Sequence, residues 1–229
     1  MIVTKEKPVE EILEYLAPYK NVLVLGCDGC TQPPRGLKQA KMYAMLIEMA
    51  AKLRHKDIKC RAATVAMQCD NYLCSSTVHP QLEGVDAVLS LACGIGVQTF
   101  AEVFPDVPVY PGQDTVFAGS QERENGKLYE RCKACGDCLL GETGGICPVT
   151  ACAKGLMNGP CGGCVEGKCE VPYEIRDEKG EVIKMIERDC AWYRIYERLK
   201  KLGRLDLYRK YRSPRDRAVS AWPRLLEGV

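Results

Sequence analysis

The stretch Asn21-Val-Leu-Val-Leu-Gly-Cys-Asp-Gly-Cys30 decides the fold class. Its uncharged run from Asn21 to Leu25, stopped by Gly26, reads as a short strand buried on both faces, the pattern of a parallel sheet. Outward from it, Gly36 to Arg54 spaces Leu37, Ala40, Met42, Ala44, Met45, Ile47 and Met49 among Lys and Glu, which predicts a helix. Residues 61–66 and 85–91 predict two more strands, 96–104 a helix ended by Pro105, and 107–110 a fourth strand. Strand, helix, strand, short helix, strand, helix, strand is the order of an α/β, Rossmann-like domain with a parallel sheet, assigned to residues 1–118. Right-handed crossovers place the C-terminal ends of its strands on one edge.

Composition narrows the function classes. The 229 residues are 46% hydrophobic and 27% charged, as in ordinary soluble globular proteins. A formal charge of +2, from 32 Lys+Arg and 30 Asp+Glu, argues against a general polyanion binder. No apolar run reaches the roughly 18 residues of a membrane span, and no secretory h-region opens the chain, so a cytoplasmic protein is expected. Cysteine is the outlier, with 15 residues against two histidines, His55 and His79. An odd total, clustered spacings and no export signal favour thiolates holding metal over disulfides.

From about residue 112 the apolar periodicity fades, and Gly, Pro and Cys dominate from Asn125 to Cys169. Such a segment, assigned to residues 119–172, needs staples other than aliphatic packing. Its strongest signal is Cys132-Lys-Ala-Cys135-Gly-Asp-Cys138, three thiols at two-residue gaps, as in the opening of a bacterial ferredoxin run. The next Cys-Pro is Cys147-Pro148, separated from Cys138 by eight residues, where the ferredoxin spacing has three. Cys152, Cys161, Cys164 and Cys169 follow. Eight thiols from Cys132 to Cys169 match two [4Fe–4S] clusters, with the partition between them open. Structural zinc is the bland alternative, because Cys-x-x-Cys pairs also form zinc knuckles.

The α/β segment carries its own set. Cys27 and Cys30 follow the first strand, Cys69 and Cys74 the second, and Cys93 the third. Loops opening at one sheet edge would gather Cys27, Cys30, Cys93 and one of Cys69 or Cys74 around a third metal or cluster, iron–sulfur first and zinc second. A redox dithiol at Cys27/Cys30 and a small buried hydrophobe at Cys60 are the competing readings. Gly94-Ile-Gly96 lacks the rest of a dinucleotide fingerprint, and no nucleophile–base pair or paired-carboxylate site is evident, so no catalytic residue is assigned. Residues 173–229 predict a hairpin turning at Lys179-Gly180, an amphipathic helix through Trp192, Ile195, Tyr196, Leu199 and Leu202, and a docking tail. Eleven Lys/Arg against four Asp/Glu fall between Arg188 and Arg217. That is a solvated face or a surface for an acidic partner.

Cys147-Pro-Val-Thr-Ala-Cys-Ala-Lys-Gly-Leu-Met-Asn-Gly-Pro-Cys-Gly-Gly163 resembles the signature of the methylenetetrahydrofolate reductase C-terminal (MetV-type) family, small subunits of acetogen methylenetetrahydrofolate reductases. Leu91-Ala-Cys-Gly-Ile-Gly-Val-Gln98, Asp189-Cys-Ala-Trp192 and Ile195-Tyr-Glu-Arg-Leu199 support the resemblance. It implies an iron–sulfur, sometimes zinc-containing, accessory subunit beside a flavin-bearing catalytic partner. The partner reduces 5,10-methylenetetrahydrofolate to 5-methyltetrahydrofolate in the Wood–Ljungdahl pathway of an anaerobe. This chain would relay electrons to that flavin from an upstream donor protein.

Overall fold

The structure is a computed structural model that describes residues 1–177, 179–216 and 218–227. Glu178, in the expected hairpin, and Arg217, at the end of the basic stretch, lie outside the described residues, as do the last two positions of the tail. The chain forms two compact units, Met1–Leu128 and Tyr129–Val229.

The first unit runs β1 (Ile2–Glu6), α1 (Val9–Leu16), β2 (Asn21–Cys27), β3 (Thr31–Gln32), α2 (Leu37–Leu53), β4 (Lys59–Val65), α3 (Asn71–Val78), β5 (Ala87–Ser90), α4 (Gly94–Val103), β6 (Val109–Pro111) and β7 (Gln113–Glu122). The chain leaves it along β8 (Lys127–Cys132). A parallel sheet orders its strands β4-β2-β5-β6, so the chain reverses direction across the sheet between β2 and β5. Side chains alternate along β2. Val22 and Val24 pack with Ile12, Leu16, Ala40 and Ile47 of α1 and α2, whereas Leu23 and Leu25 pack with Val78 and Phe100 of α3 and α4. A period of two thus feeds two cores, one on each face of the sheet. Asp86 pins the strand starts together: its Oδ2 accepts from the backbone N–H of Asn21 at 2.7 Å and of Lys20 at 3.1 Å.

A second sheet, β3-β1-β7-β8, is absent from the sequence reading. β1 pairs antiparallel with β7, more than 100 residues away, with an irregularity between Val3 and Thr4. Residue 118, where the sequence reading ends its first domain, lies within β7. β7 is mostly half-buried or exposed, so it shows no apolar alternation and owes its strand state to partners distant in sequence.

The second unit contains α5 (Pro148–Ala151), the hairpin β9 (Cys164–Val165) and β10 (Lys168–Cys169), the hairpin β11 (Tyr173–Arg176) and β12 (Val182–Ile186), α6 (Ala191–Lys201) and α7 (Leu205–Arg209). Its core is small: Cys190, Trp192, Ile195 and Leu199, flanked by Ile146, Cys152, Leu156, Cys164, Leu205, Leu207 and Tyr208. The Trp192 Nε1–H donates to the Leu156 carbonyl at 2.8 Å, which satisfies the one polar atom of a buried ring. Gly203 ends the helical turn with φ +66°, the left-handed conformation that glycine adopts without strain.

Candidate metal centre

In the first unit, three strands deliver their following loops to one sheet edge. β2 ends on Cys27, whose backbone N–H donates to the Arg35 carbonyl at 2.8 Å, and the Cys30 carbonyl accepts from Ile2 at 2.9 Å. These bonds hold both ends of the Cys27–Cys30 loop. The Asp28 carboxylate between them accepts from Thr64 at 2.8 Å and lies over Gly36, where a Cβ would come within 1.9 Å of its Oδ1. A side chain there would push the carboxylate aside.

Cys69 and Cys93 are tied to each other by a buried polar bridge. Gln68, fully buried, donates through Nε2 to the Gly96 carbonyl at 3.0 Å and accepts from the Ser90 hydroxyl at 3.0 Å. Ser90 Oγ in turn accepts from the Ala92 N–H at 3.2 Å. The residue before Cys69 therefore locks onto the strand end before Cys93 and the helix turn after it. Asp70 caps α3 by accepting from the Leu73 N–H at 2.9 Å, and Thr115 on β7 accepts from the Gly94 N–H at 2.8 Å. The sequence reading named none of Gln68, Ser90, Asp70 or Thr115. Polar residues flanking each cysteine loop were the available signal.

The electrostatics of Cys69 register the grouping. Burial pushes its thiol above the ordinary value, and the thiols of Cys93, Cys27 and Cys30 each push it further. Mutual repulsion between would-be thiolates is what a shared cation relieves. Cys30 and Cys69 are exposed, Cys27 and Cys93 buried. Of the two alternatives after the second strand, Cys74 points into the apolar core with Val78 and Phe100, and burial pushes its thiol up to about 11. Cys60 packs against the other core and is pushed up to about 12, by burial and then by Glu48.

In the second unit, Cys132 and Cys138 are exposed and Cys135 half-buried. The loop curls through Ala134 (φ +49°) and Gly136 (φ +82°). Its sulfurs receive hydrogen bonds: the Ala134 N–H donates to Cys132 Sγ at 3.3 Å, and Arg215 Nη1 donates to Cys135 Sγ at 2.7 Å. Burial raises the Cys135 thiol, but the Asp137 backbone and Arg215 outweigh it, and the net shift is downward. Arg215 also donates to the Asp137 carbonyl, and Arg224 donates to the Ala134 carbonyl at 2.9 Å. Arg212 anchors this tail. It bonds Glu142 at 3.0 Å and lies over the Trp192 ring, while its backbone exchanges two 2.8 Å hydrogen bonds with Asn158.

A second thiol group forms around the β9–β10 hairpin. Cys164 and Cys169 face each other across it, and the Cys190 N–H donates to the Gly167 carbonyl at its turn at 2.7 Å. Burial raises the Cys164 thiol, followed by a hydrogen bond with Cys190 and the charge of Cys161. Cys190 thus stands beside Cys164, a proximity that spacing did not reveal. Cys147 and Cys152 bracket α5, with Pro148 at its first position.

Among the described residues no three His, Cys, Asp or Glu side chains form a set that could hold a metal ion. The donor chemistry nevertheless fits a thiophilic metal or cluster. Thiols are grouped at the first unit's sheet edge, in the Cys132–Cys138 loop and around the β9–β10 hairpin, and in that loop amide and guanidinium hydrogens point at sulfur, as they do where thiolate is the ligand. An open cleft of about 470 Å³, lined by Lys168, Asp189, Tyr193 and Arg198 among others, contains no cysteine in its wall.

Comparison with known proteins bears on the second unit most directly. No curated protein matches the chain. A solved structure that does match is an extracellular ligand-binding receptor from Verminephrobacter eiseniae ef01-2, 14% identical, with a TM-score of 0.33. The match covers 45% of this chain and 28% of that one, a likeness too slight to carry an argument. Residues 110–218 match the family described as "Methylene-tetrahydrofolate reductase C terminal". That segment contains nine of the cysteines, Cys132 to Cys190, and both thiol groups of the second unit. Through residues 110–218, a little under half of its length, the chain is similar to the methylene-tetrahydrofolate reductase C-terminal family.

Proposed function

We propose that this chain is the electron-relay subunit of a methylenetetrahydrofolate reductase. It would deliver electrons to the flavin of a catalytic partner that reduces 5,10-methylenetetrahydrofolate to 5-methyltetrahydrofolate, in the cytoplasm. The observation that carries the reading is the family match over a segment in which hydrogen-bond donors converge on closely spaced thiols. The ligands would be drawn from Cys132, Cys135, Cys138, Cys147, Cys152, Cys161, Cys164 and Cys169, with Cys190 added by its place beside Cys164. Cys27, Cys30, Cys69 and Cys93 would hold a third metal or cluster. Bound [4Fe–4S] clusters would supply one-electron chemistry.

The chain's own residues do the rest. The Ala134 amide and the Arg215 guanidinium place positive charge against sulfur and so favour the more negative, reduced state. Gln68 holds the Cys69 and Cys93 loops in register. The tail, anchored at Arg212, reaches the Cys132–Cys138 loop and fastens its backbone through Arg215 and Arg224. Beyond that loop Trp222, Leu225 and Leu226 are exposed, which supports a role for the tail in partner docking.

A structural zinc reading is favoured at one place, the β9–β10 hairpin, where the contact of half-buried Cys164 with buried Cys190 has the closed character of a zinc knuckle. One experiment separates the readings. Protein purified without oxygen is analysed for iron, sulfide and zinc, and its visible and spin-resonance spectra are recorded before and after reduction. Iron and sulfide in equal amounts, with absorption that bleaches, support the relay. A colourless protein carrying zinc alone refutes it.

A further inference from the structure

Helix α2 is apolar on two sides. Its inner face, Ala40, Tyr43, Ala44, Ile47 and Ala51, is buried. Its outer face should be polar on a surface helix, yet Met42, Met45, Leu46, Met49 and Leu53 are 60, 64, 42, 63 and 84% exposed. Steps of three, one, three and four residues put them in a single stripe, about 17 Å long at 1.5 Å per residue. Lys38, Lys41 and Lys52 repeat at helical spacing beside Met45 and form one flank of the stripe, and all three are exposed. The sole acid of the helix, Glu48, is half-buried and accepts from the Cys60 N–H at 2.8 Å, so it does not offset them.

We propose that this face is the docking surface for the catalytic subunit of the complex, and that the subunit meets it with an apolar groove edged by Asp or Glu. The inference rests on the relay reading above and adds where contact is made. Contiguous apolar surface edged by charge marks protein interfaces, and methionine is the side chain best able to mould itself to a partner. Charge selects the occupant. A second copy of this chain docking antiparallel through the same face would set one lysine flank against another, which like-charge repulsion opposes. An acidic edge on a different protein gains from the same flank. A lipid surface is disfavoured, because the inner face of α2 is built into the sheet core and the stripe has no aromatic anchor.

The test uses the full chain, purified anaerobically and titrated with the flavin-bearing catalytic subunit encoded by the same organism. Met45→Glu with Met49→Glu should weaken binding by at least about 30-fold, the scale of an interface hot spot. Lys38→Glu with Lys41→Glu and Lys52→Glu should weaken it about tenfold at low salt and less at high salt. The milder Met42→Gln with Met49→Gln guards against misfolding, and every variant must keep the wild-type melting temperature and metal content. Wild-type binding with undiminished affinity in all variants overturns the docking face and leaves the relay reading standing. Failure of the wild type to bind the subunit at all overturns both. Sedimentation showing a wild-type dimer that Met45→Glu with Met49→Glu dissolves, or variant-sensitive binding to phosphatidylcholine/phosphatidylserine vesicles, overturns the proposal in favour of a second copy or a membrane.

Discussion

Replacing Gln68 by leucine probes the bridge that relates Cys69 to Cys93. The side chain is fully buried and makes two 3.0 Å hydrogen bonds, one to the Gly96 carbonyl and one from the Ser90 hydroxyl. Leucine nearly fills the same volume, so the cavity cost is small and the polar loss dominates. The Gly96 carbonyl, inside α4, keeps its helical donor but loses the side-chain one, and the Ser90 hydroxyl keeps the Ala92 N–H but loses its own acceptor. At about 1–3 kcal/mol for the unsatisfied hydroxyl and about 0.5–1.5 kcal/mol for the bond lost at Gly96, less what the apolar side chain regains, the net cost is about 1–3 kcal/mol. That is a large share of the ~5–15 kcal/mol of a typical domain. Both tryptophans, Trp192 and Trp222, lie in the second unit, so fluorescence does not report on this site. Urea denaturation followed by circular dichroism, with hydrogen exchange read at the amides of β2 and β5, does. Ser90→Ala and the double variant complete a cycle, in which a coupling of about 0.5–3 kcal/mol is expected between the two side chains. A destabilisation below about 0.5 kcal/mol, with no coupling, would mean that Gln68 is not the tie between the two cysteine loops.

Other perturbations address the second unit and the thiols. Trp192→Ala removes a ring that is 1% exposed and orphans the Leu156 carbonyl; a loss of about 3–5 kcal/mol is expected and should appear as rapid proteolysis between Cys147 and Cys169. In metal-free protein at pH 8, iodoacetamide should label exposed Cys30, Cys132 and Cys138 and spare Cys74, whose thiol, pushed up to about 11, is about one part in a thousand thiolate; mass spectrometry showing early Cys74 labelling would contradict its place in the core. Arg215→Ala should lower the reduction midpoint of the loaded protein and speed loss of iron in air, whereas Arg215→Lys should restore part of the potential and less of the protection. Lys210, and then Arg212, hold the Glu142 carboxyl below its ordinary value of 4.5. A depressed acid stabilises the fold above its unfolded value and loses that contribution as pH falls through the folded one. The tail anchor should therefore hold at pH 5 and above and release at lower pH, seen as a change in Trp192 emission in a Trp222→Phe background.

Local pattern determined the layered α/β unit. The uncharged run at Asn21–Leu25 and the helical spacing through α2 are signals that each element carries in its own residues, because a strand buried on both faces admits no charge and an amphipathic helix repeats every 3.6 residues. The loops that carry Cys27, Cys69 and Cys93 to one sheet edge followed from chain order and the handedness of crossovers, and the spacing of Cys132, Cys135 and Cys138 needed no fold at all to be noticed. Pairings between distant residues were decided only by the tertiary structure. β1 and β7 form a sheet because they meet, not because either has a strong pattern. Cys69 lies exposed beside the thiols of Cys93, Cys27 and Cys30, whereas α3, capped by Asp70, buries Cys74 in the core cluster that holds Phe100. Cys190 joins Cys164, and Arg215 reaches Cys135 across 80 residues, in a unit where α6 is packed and Arg212 fastens the tail. Burial and contact are properties of the folded chain, and spacing along the sequence does not encode them at such range.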